Sequence, residues 1–339
     1  MLVARAIESA DYTMFLDLAK TAGPGFTSLA VNESILKGRV EKSIASFTSG
    51  TDISPEHLYL LVVEDTDSQK IVGMSAIKAQ VGIKDPFFNF RILNVAQQST
   101  VTNRRYDLEV LILVNEFAGA TEVGTLFVSP DMRGTGAGRL ISQARYMLMA
   151  SDRERFAPTV ISELRGHVDD EGYSPFWEAI GRKFFLMDFT DADNFSAERD
   201  NQFILDLMPK YPIYAALLPE DAQAVMGKTH PAGAGARRYL ESEGFRYNGM
   251  IDIFDAGPSM NVPRDDIRTV RDSREMTVKV GGGGNTQTLT AMVSNNRVNG
   301  YRCVLTSVMF DGDQAVLTQE ALEALKLTPG DTARIWIKR

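Results

Sequence analysis

The stretch Thr125-Leu126-Phe127-Val128-Ser129-Pro130-Asp131-Met132-Arg133-Gly134-Thr135-Gly136-Ala137-Gly138-Arg139 reads as a strand, a tight glycine-rich turn and the start of a helix. Within the turn lies Arg133-x-x-Gly136-x-Gly138. Glycines let the backbone turn back on itself and approach a ligand with no side chain in the way. The unpaired amides at the helix N-terminus then face outward as an anion site. A phosphate or pyrophosphate is the natural guest, with Arg133 adding charge at the mouth. Spacing excludes two other glycine loops. A nucleotide P-loop ends in Gly-Lys-Ser/Thr, whereas Gly138 is followed by Arg139-Leu140-Ile141. A dinucleotide fingerprint needs Gly-x-Gly-x-x-Gly early in a βαβ unit, with an acidic residue closing the next strand. A glycine-rich turn with no ligand is the alternative reading.

Outward from the loop, Leu140, Ile141, Ala144, Met147 and Leu148 recur at helical spacing, which predicts one apolar face packed on a sheet. Upstream, Thr121 to Val128 is β-branched and apolar enough for a strand buried on both faces. Leu2 to Ala6 reads as a short strand. Ser9 can cap a helix to about Ala22 that Gly23 ends, and Asn32 can cap the next, lined by Leu36, Val40, Ile44 and Phe47. Leu58–Glu64 and Ile71–Val81 read as strands joined by Asp65-Thr66-Asp67-Ser68-Gln69. This βααββ opening, then strand, glycine loop and helix, resembles the N-acetyltransferase superfamily, whose members bind coenzyme A. Order alone does not establish chemistry.

Tyr173 to Phe185 reads as a short helix stopped by Gly181 and followed by a strand, and Arg238 to Tyr247 repeats that pattern around Gly244. An internal duplication would explain the length, on the slender support of two short matches. Several longer blocks are more specific. Gly25-Phe26-Thr27-Ser28-Leu29, Lys84-Asp85-Pro86-Phe87-Phe88-Asn89-Phe90-Arg91, Gly172 to Trp177, Leu207 to Tyr214, His230-Pro231, and Tyr247-x-x-Met250-Ile251-Asp252-Ile253-Phe254-Asp255 stand in this order. Together they resemble the arginine N-succinyltransferase family, up to about Pro258 and more loosely beyond. The resemblance implies transfer of succinyl from succinyl-CoA to the α-amino group of L-arginine in arginine catabolism. It places the family's proton donor on His230, within Gly227-Lys228-Thr229-His230-Pro231, and its succinyl-CoA contact on Leu126. It also implies paired subunits in some members, as a homodimer or with a paralogous chain, and activity on ornithine in some. One departure is Ala256, where the family usually has glycine; another is Gly23-Pro24-Gly25 before the Thr-Ser-Leu block.

The reaction sets further demands. A histidine suits proton traffic near neutral pH, and His230, between a glycine-containing turn and a proline, is expected on an irregular segment. His57 and His167 read as structural or solvated. Backbone amides between Leu126 and Val128 can stabilise the tetrahedral oxyanion without a side chain. Arg133, Gly134, Gly136 and Gly138 complete the expected CoA loop. A guanidinium asks for a carboxylate, for which Glu163, Asp252 and Asp255 are candidates. The succinyl carboxylate asks for a cation, for which Arg91, Arg165 and Lys210 are candidates.

Composition fits a large cored chain. It has 339 residues, 44% hydrophobic, and a net charge of −8 with no long basic run, which argues against a nucleic-acid binder. Cys303 is alone, so an intrachain disulfide is excluded and a core position is expected; three scattered histidines argue against zinc. No permanently bound cofactor is expected, only succinyl-CoA as co-substrate. With no apolar run of membrane-spanning length and no signal pattern, a cytoplasmic location is expected.

A linker is expected near Asp272–Thr277. Beyond it, Met276–Val280, Leu289–Val293 and Tyr301–Phe310 read as strands, Gly281 to Asn285 as a loop, Ala315–Leu325 as a helix entered from Thr318, and Ala333–Ile337 as a closing strand. This part is expected to be a small β-rich appendage. The expected fold is therefore α+β, an N-acetyltransferase-like mixed sheet flanked by helices, with duplication an open reading. Its expected segments are 1–190 for CoA, 191–272 carrying His230, and 273–339.

Overall fold

In a computed structural model the described residues are 1–22, 29, 32–169, 171–198, 202–281 and 288–337. Gly23, the Gly25 to Ser28 part of one family-like block, and Gly282 to Asn285 lie outside them. In chain order the elements are β1 (Leu2–Ala6), α1 (Tyr12–Thr21), α2 (Glu33–Thr48), β2 (Leu58–Asp65), β3 (Lys70–Lys78), β4 (Asn89–Ser99), β5 (Arg104–Val114), β6 (Thr121–Val128) and α3 (Ala137–Ser151). Next come β7 (Thr159–Glu163), α4 (Pro175–Ala179), α5 (Gly181–Phe185), α6 (Phe189–Glu198), α7 (Gln202–Leu207), β8 (Ile213–Tyr214), α8 (Glu220–Val225), α9 (Ala234–Glu243), β9 (Arg246–Asp252) and β10 (Pro258–Pro263). The chain ends with α10 (Arg268–Asp272), β11 (Arg274–Val280), β12 (Leu289–Ser294), β13 (Arg302–Asp311), β14 (Gln314–Leu317), α11 (Gln319–Leu325) and β15 (Thr332–Ile337). The mixture is α+β, as expected.

These elements sort into two compact units: one of Met1–Gln80, Thr121–Pro158 and Pro263–Arg339, the other of Val81–Ala120 and Thr159–Val262. The units interleave along the chain, whereas the segments 1–190, 191–272 and 273–339 follow the order of motifs.

In the first unit the strand order is β12–β15–β11–β14–β13–β1–β2–β3–β6, and β12 also pairs with β13. The five C-terminal strands thus close into a small barrel around Val278, Val293, Val304, Leu317 and Leu322. The region is β-rich, as expected, and it is joined to the sheet, β13 pairing antiparallel with β1, Ala4 opposite Cys303. The expected linker is absent, since α10 runs to Asp272 and β11 starts at Arg274. Ala315 to Leu317 belong to β14 instead of a helix, and α11 starts only after Thr318, whose side chain accepts from the Ala321 N–H. Cys303 is buried, which pushes its thiol up to about 12.

Asn32 caps α2 as expected, accepting from the Ile35 N–H. Ser9 does not cap α1. It opens a 3₁₀ turn, and the Asp11 carboxylate accepts from the Glu8 N–H at 2.8 Å. Helix α3 departs from the one-faced expectation, being buried almost all round, with Ser142, Gln143 and Arg145 as enclosed as Leu140. It packs on β2, β3 and β6, and also on β12, β13 and α10. Strands from the far end of the chain therefore cover the face that reads as polar.

In the second unit the order is β7–β10–β9–β4–β5–β8. The hairpin of β4 and β5 stays in register from Asn89↔Val114 to Ser99↔Arg104. Its core is aromatic: Trp177 stacks between Phe185 at 5.5 Å and Phe254 at 5.4 Å. The expected strand after Gly181 is not formed. Gly181 opens α5, and a Cβ there would stand 2.1 Å from the Trp177 ring. Gly244, by contrast, ends α9 at φ 107 before β9. The two glycines do different work, so the match between them does not support duplication.

Candidate active site

In the first unit the residues expected to hold CoA stand at the end of β6 and in the turn after it. Strand β6 has the bounds the sequence predicts but is not buried on both faces: Thr121, Val123 and Phe127 are enclosed, whereas Leu126 and Val128 are half-exposed. Its pairing with β3 slips, from Met74↔Phe127 to Ala76↔Gly124, so Thr125 and Leu126 stand opposite Ser75 alone. Thr125 takes φ 52 to make this bulge. A bulge breaks the hydrogen-bond ladder locally and re-aims the backbone beside it.

Past the strand, Pro130–Met132 forms a 3₁₀ turn, and Gly134 (φ 84) and Gly136 (φ 96) carry the chain into α3. A Cβ at either glycine would meet no atom within 4 Å. Gly136 offers no side chain to cap α3, and the one side-chain contact to its first amide is a long one, Ala137 N–H to the Thr135 hydroxyl at 3.4 Å, so the first-turn dipole suits an anion. Gly138 lies in the first turn, close to Val128, and the Arg133 side chain stands exposed at the mouth.

In the second unit His230 is the N-cap of the 3₁₀ turn Pro231–Gly233, an irregular segment as its neighbours predict. Its backbone N–H donates to the Arg165 carbonyl at 2.8 Å, and its own carbonyl accepts from Gly233. The ring Nδ1 accepts from the Ala232 N–H at 3.2 Å. In the neutral ring this contact leaves the proton on Nε2. The imidazole is thereby oriented to donate through Nε2. His167, read from the sequence as structural or solvated, is exposed, and its ring lies 6.2 Å from that of His230.

The segment that holds His230 is itself fastened by Asp255. One Asp255 oxygen accepts from the Gly166 N–H at 2.7 Å and the other from the Gly257 N–H at 2.8 Å. Asp252 accepts from the Phe254 and Asp255 amides at 2.7 and 3.0 Å, while burial pushes its carboxyl above the ordinary range. Both aspartates, candidates for a guanidinium, thus serve the backbone.

Arg91 is engaged as well, by both oxygens of Glu116; this pairing raises the guanidinium and lowers the carboxyl. Arg165 is half-buried and donates to the Val168 carbonyl at 3.3 Å, and Lys210 is exposed. Glu163 accepts from Asn89 at 2.8 Å and Ser259 at 3.1 Å. Sequence reading passed over Asn89 and Ser259. Asn89 lies in a family-like block from which only the charged Arg91 was singled out, and no local pattern announces that it meets Glu163.

Two family models cover nearly the whole chain: the arginine N-succinyltransferase beta subunit over residues 2–269 and its C-terminal domain over 274–336. The chain belongs to the arginine N-succinyltransferase family. Curated proteins named arginine N-succinyltransferase from Escherichia coli and Citrobacter koseri are each 39% identical over 335 residues, covering 99% of this chain and 97% of theirs. A solved structure, arginine/ornithine succinyltransferase subunit AI from Pseudomonas aeruginosa, superposes with a TM-score of 0.89 at 33% identity, covering 99% of this chain and 98% of that one. The boundary between the two family models falls at the step from α10 to β11, where the barrel begins. Among the described residues no helix is long and apolar enough to cross a membrane.

Proposed function

We propose that this chain transfers the succinyl group of succinyl-CoA to the α-amino group of L-arginine. The observation that carries this reading is the 39% identity over 99% of the chain to curated arginine N-succinyltransferases, together with an intact glycine loop and His230. In the reaction the α-ammonium loses a proton, and the free amine attacks the thioester carbonyl carbon. A C–N bond forms, the C–S bond breaks, and CoA leaves as the thiol once its sulfur is protonated. Arg133, Gly134, Gly136 and Gly138 would hold the CoA pyrophosphate, and the α3 dipole would favour its charge. Backbone amides between Leu126, beside the bulge, and Val128 would donate to the thioester oxygen as it becomes an oxyanion. His230 would act as the proton donor to the departing sulfur through Nε2 in its imidazolium form, the proton delivered to sulfur being balanced by the one the attacking nitrogen sheds as the amide forms.

A broader reading, in which ornithine is also a substrate, is favoured by the likeness to the Pseudomonas arginine/ornithine succinyltransferase. That protein is a subunit, so we include assembly, as a homodimer or with a paralogous chain, in the proposal. Thiol release from succinyl-CoA with L-arginine, set beside acetyl-CoA, L-ornithine and a His230→Ala variant, tests the reading. Turnover should be highest with succinyl-CoA and arginine, and the variant should lose kcat by roughly 10²- to 10⁴-fold. Equal rates in parent and variant would remove His230 from the reaction. No turnover with any pair, while CoA binds, would leave a non-catalytic subunit.

A further inference from the structure

In the second unit the hairpin of β4 and β5 outgrows the sheet that carries it. Strand β9 pairs with β4 only from Asn89 to Arg91, and β8 pairs with β5 only at Val110 and Leu111. Among the described residues, the hairpin from Leu93 to Glu109 is therefore a two-stranded arm with no third strand beside it. A lone two-stranded hairpin is marginal in water and gains stability from a further strand.

The two faces of the arm differ. Directly opposed residues share a face, so Leu93 with Val110, Val95 with Leu108 and Gln97 with Tyr106 form one side. Asn94 with Glu109, Ala96 with Asp107 and Gln98 with Arg105 form the other. The first side is largely apolar, and on it Leu93 and Tyr106 are 38% and 47% exposed.

From Arg104 to Glu109 the outer edge of β5 carries no strand, and its register with β4 runs without a bulge. Such an edge offers a row of backbone donors and acceptors, which proteins blunt with bulges or charge. Here the charges are sorted by sign. Arg104 and Arg105 come first, Asp107 and Glu109 after them. Laid antiparallel against a copy of itself, the edge brings its basic half to the other's acidic half, and Tyr106 beside Tyr106 or Leu108 of the second copy. Laid parallel, like charges would meet. Arg105 does bond Asp107 of its own strand at 3.0 Å, but both side chains are largely exposed. A pair of that kind contributes little in water, so it is readily exchanged for one between copies.

We propose that the open β5 edge of this arm is an interaction surface for a second copy of this chain, the two edges pairing antiparallel about a two-fold axis. The axis closes the assembly at two copies. Backbone bonds across the edges supply affinity, and the sorted charges set direction. The inference rests on the assembly included in the proposed function and gives that assembly a surface.

Sedimentation of the full chain tests it. The parent should run as a dimer at about 50 µM. Arg104→Glu with Arg105→Glu makes an acidic arm, and Asp107→Lys with Glu109→Lys makes a basic one. Across the hairpin these positions face only Ser99, Gln98, Ala96 and Asn94, so no charged contact between β4 and β5 is lost. Each variant alone should pair at least about 30-fold more weakly than the parent, because like charges then meet. An equimolar mixture of the two should restore a one-to-one pair. If either arm folds poorly, Tyr106→Cys gives a second measurement. Cys303 is buried, so the new thiol is the one that reacts, and a short bis-maleimide should join two copies through it. A monomeric parent, variants that pair as well as the parent, a mixture of folded variants that stays monomeric, or Tyr106→Cys copies that do not join would each overturn the surface. Turnover separates this from the acyltransferase reading. A monomeric parent that transfers succinyl loses the surface and keeps the activity, while a dimer joined through the arms that transfers nothing does the reverse.

Discussion

At Gly134 and Gly136 an added Cβ would meet no atom within 4 Å, whereas at Gly166 and Gly257 it would lie 2.1 and 2.0 Å from the carbonyl oxygens of Asp255 and Leu164. The first pair leaves space open beside the backbone, and the left-handed φ at both positions is what turns the chain into α3. The second pair lets two backbone segments interlock so closely that no side chain fits between them. Asp255 then fastens the interlock by accepting from both of its glycine amides. In the sequence all four are simply glycine. On the proposed reading one pair serves the CoA loop, while the other gives rigidity to the segment that carries His230.

The comparison breaks most readily at Gly257. The Leu164 carbonyl cannot retreat cheaply, because its own N–H is bonded to Pro258 at 3.1 Å. Gly257→Ala should therefore destabilise the protein by more than about 4 kcal/mol, in the range reserved for severe steric or buried-polar faults. At roughly 2–4 °C per kcal/mol for a chain of this class, Tm should fall by about 10 °C or more. A fall of under about 3 °C would mean that the two segments can separate, and the interlock would not be what holds His230 in place.

Gly136→Ala should do less to stability and more to binding. Forcing an L-residue into the left-handed region costs about 1–2 kcal/mol, and open space adds no clash. On the proposed reading the new methyl group would occupy the place where the CoA pyrophosphate approaches the α3 amides. The KM for succinyl-CoA should then rise about tenfold or more, with the arginine KM unchanged. Were CoA affinity to survive, the emptiness around Gly136 would have no functional meaning.

How far the sequence could be read follows the same division. The loop was legible because its signal is local: Arg133-x-x-Gly136-x-Gly138 follows an apolar run and precedes a helical period. Asn32 as a cap and the bounds of β6 are local in the same sense. The interlock joins Gly166 to Asp255, 89 residues apart, and no window of sequence holds both. Asp255 was read by its charge, as a partner for a cation, when its two oxygens serve amides. The all-round burial of α3 is non-local too, because the strands that cover it, β12 and β13, begin more than a hundred residues later. Ala315 to Leu317 deceived for another reason: three apolar residues fit a strand as well as the first turn of the helix behind them.

A smaller test concerns charge at the rim of the second unit. Glu116, hydrogen-bonded to Arg91, has its carboxyl held below the usual range. The stability this pair contributes is complete above the unfolded value, near 4.3, and is lost as pH falls through the lower folded value. Glu116→Gln should flatten that acid-side slope while changing stability at pH 7 by less than about 1 kcal/mol, since both side chains are partly exposed. It would also release Arg91. If Arg91 receives the succinyl carboxylate, the KM for succinyl-CoA should fall in the variant; if it only braces β4 through Glu116, KM should not move.

The smallest effect is expected at Ala256. Ala256 takes φ 57, a conformation that costs an L-residue about 1–2 kcal/mol. Its methyl group, however, is fully buried in the aromatic core, which returns about 0.8 kcal/mol. Glycine would lose that burial and add backbone freedom to the unfolded chain worth roughly 0.5–1 kcal/mol. The opposing amounts nearly cancel, so Ala256→Gly should leave stability within about 1 kcal/mol of the parent and Tm within about 3 °C. The Ala256 carbonyl, which accepts from the Gly227 N–H at 2.9 Å, would keep its bond. Set beside Gly257→Ala, this pair of adjacent substitutions separates the two demands made on one turn. A strained torsion is tolerated there because packing offsets it, while a missing ångström between two carbonyl-bearing segments is not. A large gain from Ala256→Gly would reverse that ranking and make torsion the governing constraint.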